Sequence, residues 1–177
     1  MRRLILPLLA GIFFLVFQTT FLSFLPIQRI RPDILLIFTL YLTFLFSPIF
    51  GGVLAFFLGY LMDLFSGNTL GLYTFSRPLV FFAAQLLRER FYLEGFAFQF
   101  LFGSLFSLSE GILISVLTNA LQPVPLGSFY PSFFTCLFPQ AFFTGLVTPL
   151  LFFLFRKGAP FLSRQPEEGI GERGYRP

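Results

Sequence analysis

Residues 47–80 read SPIFGGVLAFFLGYLMDLFSGNTLGLYTFSRPLV, and this stretch decides the fold of the chain. The pattern predicts one membrane helix, a polar turn and the start of a second helix. Gly51, Ala55 and Gly59 recur every four residues, which gives one helix face a groove of small side chains that another helix can approach closely. Asp63 continues the row, which drifts by about 40° per step because four residues exceed one helical turn. We therefore expect the Asp63 carboxylate beside the groove, near the helix end.

The turn after this helix contains small and polar residues. Gly67 is suited to the left-handed conformation that ends a helix, Asn68 follows it, and Gly71 is expected to keep the backbone slim where two segments meet. We expect Asp63 to cap or orient this turn, and the alternative is an acid simply exposed at the interface. The small-residue row has two interpretations as well, packing within the chain or a surface for a partner helix.

The composition predicts an integral membrane protein. Of 177 residues, 56% are hydrophobic and 11% are charged, whereas soluble domains contain about 25% charged residues. The length allows one bundle of roughly six spans of about 20 residues. The net charge of +4 does not indicate a nucleic-acid partner, because the basic residues lie beside hydrophobic runs and are better explained by orientation in the membrane.

The same composition argues against catalysis. With one cysteine, Cys136, and no histidine, a metal site or a His-based triad is improbable. The sequence contains no phosphate-binding glycine loop, nucleophile elbow or pair of catalytic carboxylates. We predict a protein that is not an enzyme and has no metal or other cofactor.

Hydrophobic runs separated by turns predict an all-α, polytopic bundle in residues 1–157 and a flexible cytoplasmic tail in 158–177. Span two is too short for a 30 Å core and is expected to be a short, broken or locally thinned crossing, packed tightly against span three. Asp33 is expected in its first turn, where it suits the helix dipole. Basic residues at both ends and in the loop after span four place both termini in the cytoplasm. The predicted spans are 4–25, 34–46, 49–65, 70–87, 96–121 and 133–155.

Three polar residues fall inside predicted spans. Glu110, near the middle of span five, lies in the sector of a row of small residues and should face protein, either as a ligand, proton or partner contact or as a packing acid. Arg77 is the natural counter-charge for Asp63 or Glu110, or else it snorkels to the outer interface. Gln18 either hydrogen-bonds across helices or is exposed at the interface. The row on span five is Gly103, Ser107, Gly111 and Ser115.

Three segments carry a resemblance to a known family. They are VFQTTFLS in span one, RPDILLIFTLYL at the start of span two and GGVLAFFLGYLMDLFSGNTLGLYTFSRPLVFFAAQLL. Their order and spacing resemble the rod shape-determining protein MreD family over roughly residues 4–155. The resemblance implies a multi-pass protein of the bacterial inner membrane, with a fold similar to the substrate-binding subunits of energy-coupling vitamin transporters. It also implies a role in sidewall peptidoglycan synthesis as part of the elongation machinery, with a single-span MreC-like partner and, through it, RodA and a penicillin-binding transpeptidase.

Two functions remain open from the sequence. The first is a non-catalytic scaffold that offers its surface to a partner helix among membrane lipids, in which Asp63, Asn68 and Gly71 matter more for assembly than Glu110. The second is a small-molecule carrier subunit with a pocket that opens outside, near the turn after span one and the loop after span five. A carrier should place many polar and aromatic groups there, and the sequence offers few, namely Arg29, Arg31, Asn119, Gln122 and Tyr130.

Overall fold

The computed structural model describes residues 2–21, 32–66, 71–88, 95–121 and 136–162. All regular structure in these ranges is helical, which confirms the predicted all-α class. The six helices are α1 (Arg2–Phe21), α2 (Ile34–Leu45), α3 (Pro48–Ser66), α4 (Leu72–Leu87), α5 (Phe96–Leu121) and α6 (Phe138–Leu162). Several residues named above lie outside the described ranges, namely Arg29, Arg31, Gly67, Asn68, Gln122 and Tyr130.

The outside of the bundle is apolar, as a bilayer requires. Large hydrophobic side chains such as Phe13, Tyr60, Leu86 and Leu150 are exposed on different helices. Three helical segments are long and apolar enough to cross a membrane by themselves: Pro48–Ser66, Phe96–Leu121 and Phe138–Lys157. Two further apolar segments, Ile5–Thr20 and Ile34–Leu45, are shorter. The chain is therefore a membrane protein in which long and short apolar helices pack together.

Helix α2 is the centre of the bundle. Every side chain from Ile34 to Thr43 is buried, and α2 touches each of the other five helices. Its 12 residues rise about 18 Å, well short of a hydrocarbon core of about 30 Å. α2 contacts α3, the neighbour expected for it, although Phe46 is extended at the end of α2 and Pro48 begins α3 two residues later. α4, α1 and α6 cover α2 more than α3 does.

A buried helix must satisfy the polar groups at both of its ends. At the start of α2, Asp33 is the N-cap and not a first-turn residue as predicted, and its Oδ1 accepts a hydrogen bond of 2.8 Å from the Leu36 N–H. Gln18 of α1 accepts from the Leu35 N–H at 3.0 Å. At the other end, Arg88 Nη1 donates to the Thr43 carbonyl at 3.0 Å. The side chains of Asp33, Gln18 and Arg88 thus make hydrogen bonds that water would otherwise make at the two ends of α2.

The small residues of α3 face α4. Ala55 and Gly59 are buried, and a Cβ at Gly59 would lie 2.8 Å from the carbonyl carbon of Tyr73 and 3.0 Å from the Thr74 Cα. A Cβ at Gly51 would instead overlap the ring of Phe81. At Gly59 the row therefore allows the backbones of α3 and α4 to approach each other closely. At Gly51 it leaves space for the ring of Phe81.

A second close pair is α5 with α6. A Cβ at Gly103 would overlap the Thr148 hydroxyl, and a Cβ at Gly145 would overlap the Ser104 hydroxyl and lie 2.8 Å from the Phe100 carbonyl oxygen. Each helix therefore supplies a glycine that receives a side chain of the other. α6 continues to Leu162, so the first residues of the segment predicted to be a flexible tail are helical.

Candidate functional site

Three charged side chains from three helices meet inside the bundle at the start of α2. Arg77 of α4 is 0% exposed, and its Nη2 lies 2.5 Å from Asp33 Oδ2. Its Nε lies 3.1 Å from Glu110 Oε1 of α5, in an orientation that makes an ion pair without an aligned hydrogen bond. We call Asp33, Arg77 and Glu110 the charge cluster. A buried guanidinium between two carboxylates holds α2, α4 and α5 at one point.

Neighbouring polar groups fix the orientation of the cluster. Ser76 Oγ donates to Glu110 Oε1 at 3.3 Å, and the Asp33 N–H donates to Thr144 Oγ1 of α6 at 3.2 Å. The Arg77 Cζ lies 5.7 Å from the centre of the Tyr73 ring, one turn earlier on α4, where the ring face attracts the cation. Four helices thus contribute to one polar site.

The sequence placed Arg77 and Glu110 inside the membrane but did not find the whole cluster. Of the two counter-charges considered for Arg77, Glu110 is a partner and Asp63 is not. Because Arg77 has no exposed surface, it does not snorkel to the interface. Asp33 was missed as a partner of Arg77, since it lies 44 positions away in the sequence and the helix dipole already gave a reason for its charge. The available signal was its place directly before a helix too short to reach the membrane surface.

A polar cleft of about 100 Å³ opens beside the charge cluster. Glu110 lines it from α5 together with Gly111 and Ser115, so part of the small-residue row borders the cleft. The volume is enough for about three water molecules at their usual share of the liquid. The cleft is lined by Asp33, Tyr73, Ser107, Glu110, Gly111, Ile114, Ser115, Leu137 and Gln140.

Asp63 forms a second polar site at the end of α3. Its Oδ2 accepts from the Gly71 N–H at 3.0 Å, the Thr74 N–H at 2.8 Å and the Thr74 hydroxyl at 2.5 Å, and its Oδ1 accepts from the Tyr73 N–H at 3.0 Å. One carboxylate therefore satisfies most of the free donors at the start of α4, where a negative charge also suits the helix dipole. Asp63 therefore joins α3 to α4. Asn68, which lies between these helices in the sequence, is outside the described residues.

Gly71 is required for a different reason than expected. A Cβ at Gly71 would meet no atom within 4 Å, so close packing against a neighbouring segment does not require glycine here. Its φ of 104° lies instead in the left-handed region that favours glycine. Gly71 therefore sets the direction in which the chain enters α4, so that the next N–H groups reach Asp63.

No cation-binding cluster was found in the part of the chain that the structure describes, where no three His, Cys, Asp or Glu side chains are placed to hold a metal ion. The charge cluster has two acids held by an arginine, which is an arrangement suited to joining helices. The absence of a cofactor remains a prediction from the sequence.

The fold and the two sites define a helical membrane protein whose buried charges connect its helices. The chain belongs to the MreD family, since the family model described as rod shape-determining protein MreD matches residues 1–158. This membership suggests a role in determining rod shape. Comparison with curated proteins and with solved structures gives no match, so the likeness to vitamin-transporter subunits stays a prediction.

Proposed function

We propose that this protein is a non-catalytic scaffold of the rod elongation machinery in the bacterial inner membrane. It binds an MreC-like single-span protein and, through it, supports RodA and a penicillin-binding transpeptidase in sidewall peptidoglycan synthesis. The observation that carries the proposal is the family match over residues 1–158. The partners themselves come from the family resemblance.

The contacts of the described residues support a structural role. Three polar side chains join helices: Gln18 bonds to α2, Asp63 to α4, and Arg77 pairs with acids of α2 and α5. Gly51 and Gly59 face α4 and Ala55 is buried, so we assign all three to packing within the chain and only indirectly to partner binding. We assign the contact with the partner to the end of α3 and the start of α4, which Asp63 joins through its hydrogen bonds to Gly71 and Thr74.

Co-purification tests this function. The native protein, extracted with its lipids, is expected to carry one single-span partner in a fixed ratio. Asp63→Leu should reduce the amount of partner recovered at least threefold, because the turn loses the carboxylate that orients it. Leu64→Ala serves as the control, since Leu64 is the exposed neighbour of Asp63 on α3. An intact complex with Asp63→Leu, or the same loss with Leu64→Ala, would contradict the assignment of the surface.

A carrier of small molecules is the second candidate, and the polar cleft is the observation that favours it. Binding sites for cofactor-sized molecules have volumes of about 300–1,000 Å³, several times the cleft of about 100 Å³. The scaffold is therefore the better supported function. Release of a bound vitamin or precursor from the purified protein, with no protein partner present, would reverse this order.

A further inference from the structure

One oxygen of the charge cluster has no partner among the described residues. Both oxygens of Asp33 are engaged, Oδ1 by the Leu36 N–H and Oδ2 by Arg77, and Glu110 Oε1 is engaged by Arg77 and Ser76. Glu110 Oε2 receives no hydrogen bond from the described part of the chain, although the residue is only 3% exposed and lines the cleft. The fully buried side-chain atoms without a described partner are Arg77 Nε, Arg77 Nη1 and Ser104 Oγ, and Glu110 Oε2 is not one of them. Since Glu110 lines the cleft, a donor for Oε2 is expected to come from there.

The charges of the cluster point to the kind of donor. Within the described ranges one guanidinium stands against two carboxylates, which leaves one negative charge without a described counter-ion when both acids are ionised. Among the residues that the structure describes, no cationic side chain lines the cleft. A single positive charge that also carries hydrogen-bond donors would satisfy both the charge and the free oxygen.

We propose that the cleft binds a protonated primary amine, held by Glu110 Oε2. An ammonium group has three N–H donors and needs three acceptors. Around Glu110, the cleft is lined by Ser107, Ser115 and Gln140, whose side chains carry acceptor oxygens, and by the aromatic residue Tyr73. Gly111 leaves this side of the cleft free of a side chain. A Cβ at this position would lie only 2.6 Å from Leu137 Cδ2.

The volume limits what can enter. About 100 Å³ accepts an ammonium group with a short alkyl stem but not a whole lipid headgroup with its phosphate. The amine has two possible sources, a free small amine and the terminal ammonium of an ethanolamine phospholipid that reaches in from the membrane. Both present the same chemistry to Glu110, and the site does not depend on any protein partner.

The test measures thermal unfolding of the full-length protein in a neutral detergent with methylammonium, tetramethylammonium or sodium chloride at equal ionic strength. Methylammonium should raise Tm by about 3 °C or more and saturate, since a ligand at ten times its Kd stabilises the folded state measurably. Tetramethylammonium has the same charge and no N–H donor, so it should have no specific effect. Equal stabilisation by tetramethylammonium or sodium, or no stabilisation by methylammonium, would overturn the proposal.

Variants locate the effect. Glu110→Gln should abolish the methylammonium shift, and it keeps Arg77 paired with Asp33, so the protein should still fold. Ser115 lines the cleft outside the charge cluster, and Ser115→Ala should weaken the apparent binding of methylammonium at least threefold. Ser109→Ala is the matched control, because its hydroxyl bonds to the Phe106 carbonyl of its own helix and does not line the cleft. An undiminished shift in Glu110→Gln, or a loss in Ser109→Ala, would contradict the site.

Lipid nanodiscs distinguish the two sources. Nanodiscs of phosphatidylethanolamine and of phosphatidylcholine present headgroups that differ in the N–H donors. A higher Tm in phosphatidylethanolamine for the unaltered protein but not for Glu110→Gln assigns the lipid as the source. Equal Tm values in the two lipids, together with the methylammonium shift in detergent, assign a free amine.

Discussion

At the scale of the residue, the choice of arginine at position 77 is decisive. A guanidinium offers a planar set of donors that can face two carboxylates at once, whereas a lysine ammonium is a compact point charge. In the structure Arg77 uses Nη2 for Asp33 and Nε for Glu110, on two different helices. The chemistry of this one side chain therefore determines how α2 and α5 are placed relative to α4.

Arg77→Met tests the charge cluster. The variant leaves two buried acids without a counter-charge, and breaking a buried pair in this way costs about 3–5 kcal/mol. Glu110→Gln should cost about 1 kcal/mol or less, because Arg77 keeps Asp33 and the new amide can still accept from Ser76. Reversible unfolding in detergent measures both.

A double variant gives the control for this prediction. Arg77→Met combined with Glu110→Gln removes one of the stranded acids, so its loss should be smaller than that of Arg77→Met alone. If Glu110→Gln were the more damaging single change, or if the two losses simply added, the cluster would not be the unit described here.

Asp63→Ala tests the second polar site. The change removes the acceptor of three N–H groups and one hydroxyl at the start of α4, and loss of a helix cap alone costs about 0.5–2 kcal/mol. Because hydrogen bonds to a charged group are worth more, we expect about 2 kcal/mol or more. Thr74→Val removes only the hydroxyl and should cost about half as much. Equal stability of Asp63→Ala and the unaltered protein, by the same unfolding measurement, would contradict the cap.

Sequence reasoning identified which single residues are unusual but not which ones touch. Glu110 and Arg77 stand out because charges are rare in apolar helices, and Asp63 stands out because it continues a row of small residues. The pairing of Arg77 with Asp33 spans 44 positions, and no spacing rule connects them. The roles assigned to Asp63, Asn68, Gly71, Gln18 and Glu110 stay predictions.

At the scale of the element, glycine positions determine how closely helices approach. Gly59 faces backbone atoms of α4, and Gly51 faces only the far end of the Phe81 ring. A backbone cannot move without shifting its whole helix, whereas a ring can rotate. The two glycines of the same row therefore tolerate substitution differently.

Gly59→Ala should destabilise the bundle more than Gly51→Ala, by about 1–3 kcal/mol, which is the usual cost of overpacking. Both changes add one methyl group and gain equally in helix propensity, so the difference reports the neighbour alone. Tyr60→Leu, at an exposed position beside Gly59, controls for nonspecific effects. Unfolding in detergent measures all three. Similar losses of stability for the two glycine variants would show that the α3–α4 contact is not more restrictive at Gly59 than at Gly51.

The helices were the easiest feature to predict, because long apolar runs bounded by proline, glycine and charge leave few alternatives. The described helices overlap the six predicted segments, with α6 beginning at Phe138 and continuing to Leu162, while the six crossings stay a prediction. What the runs did not reveal is the depth of α2 in the bundle. A continuous apolar segment has the same sequence pattern whether lipid or protein surrounds the helix.

At the scale of the whole molecule, orientation in the membrane remains a prediction from the basic residues. Arg88, Arg156 and Lys157 are expected on the cytoplasmic side with both termini, and Asp63 and Gly71 on the outer side. A fluorescent reporter that matures only in the cytoplasm should be active when fused to either end of the chain. A phosphatase active only outside should work when inserted beside Gly71 and remain inactive at the C-terminus. Activity of the phosphatase at the C-terminus would contradict an even number of crossings.

The central position of α2 has a consequence for biosynthesis. Asp33 leaves the ribosome 44 residues before Arg77, which at 5–20 residues per second is a delay of about 2–9 s. During this interval the nascent helix has neither its counter-ion nor the later helices that cover it, and it is too short to be anchored across the bilayer. We therefore expect α2 to enter the membrane shallowly, with Asp33 still hydrated, and to move inward only when α4 is present. A chain halted after α3 should accordingly leave Asp33 accessible to water, and a chain extended through α4 should protect it.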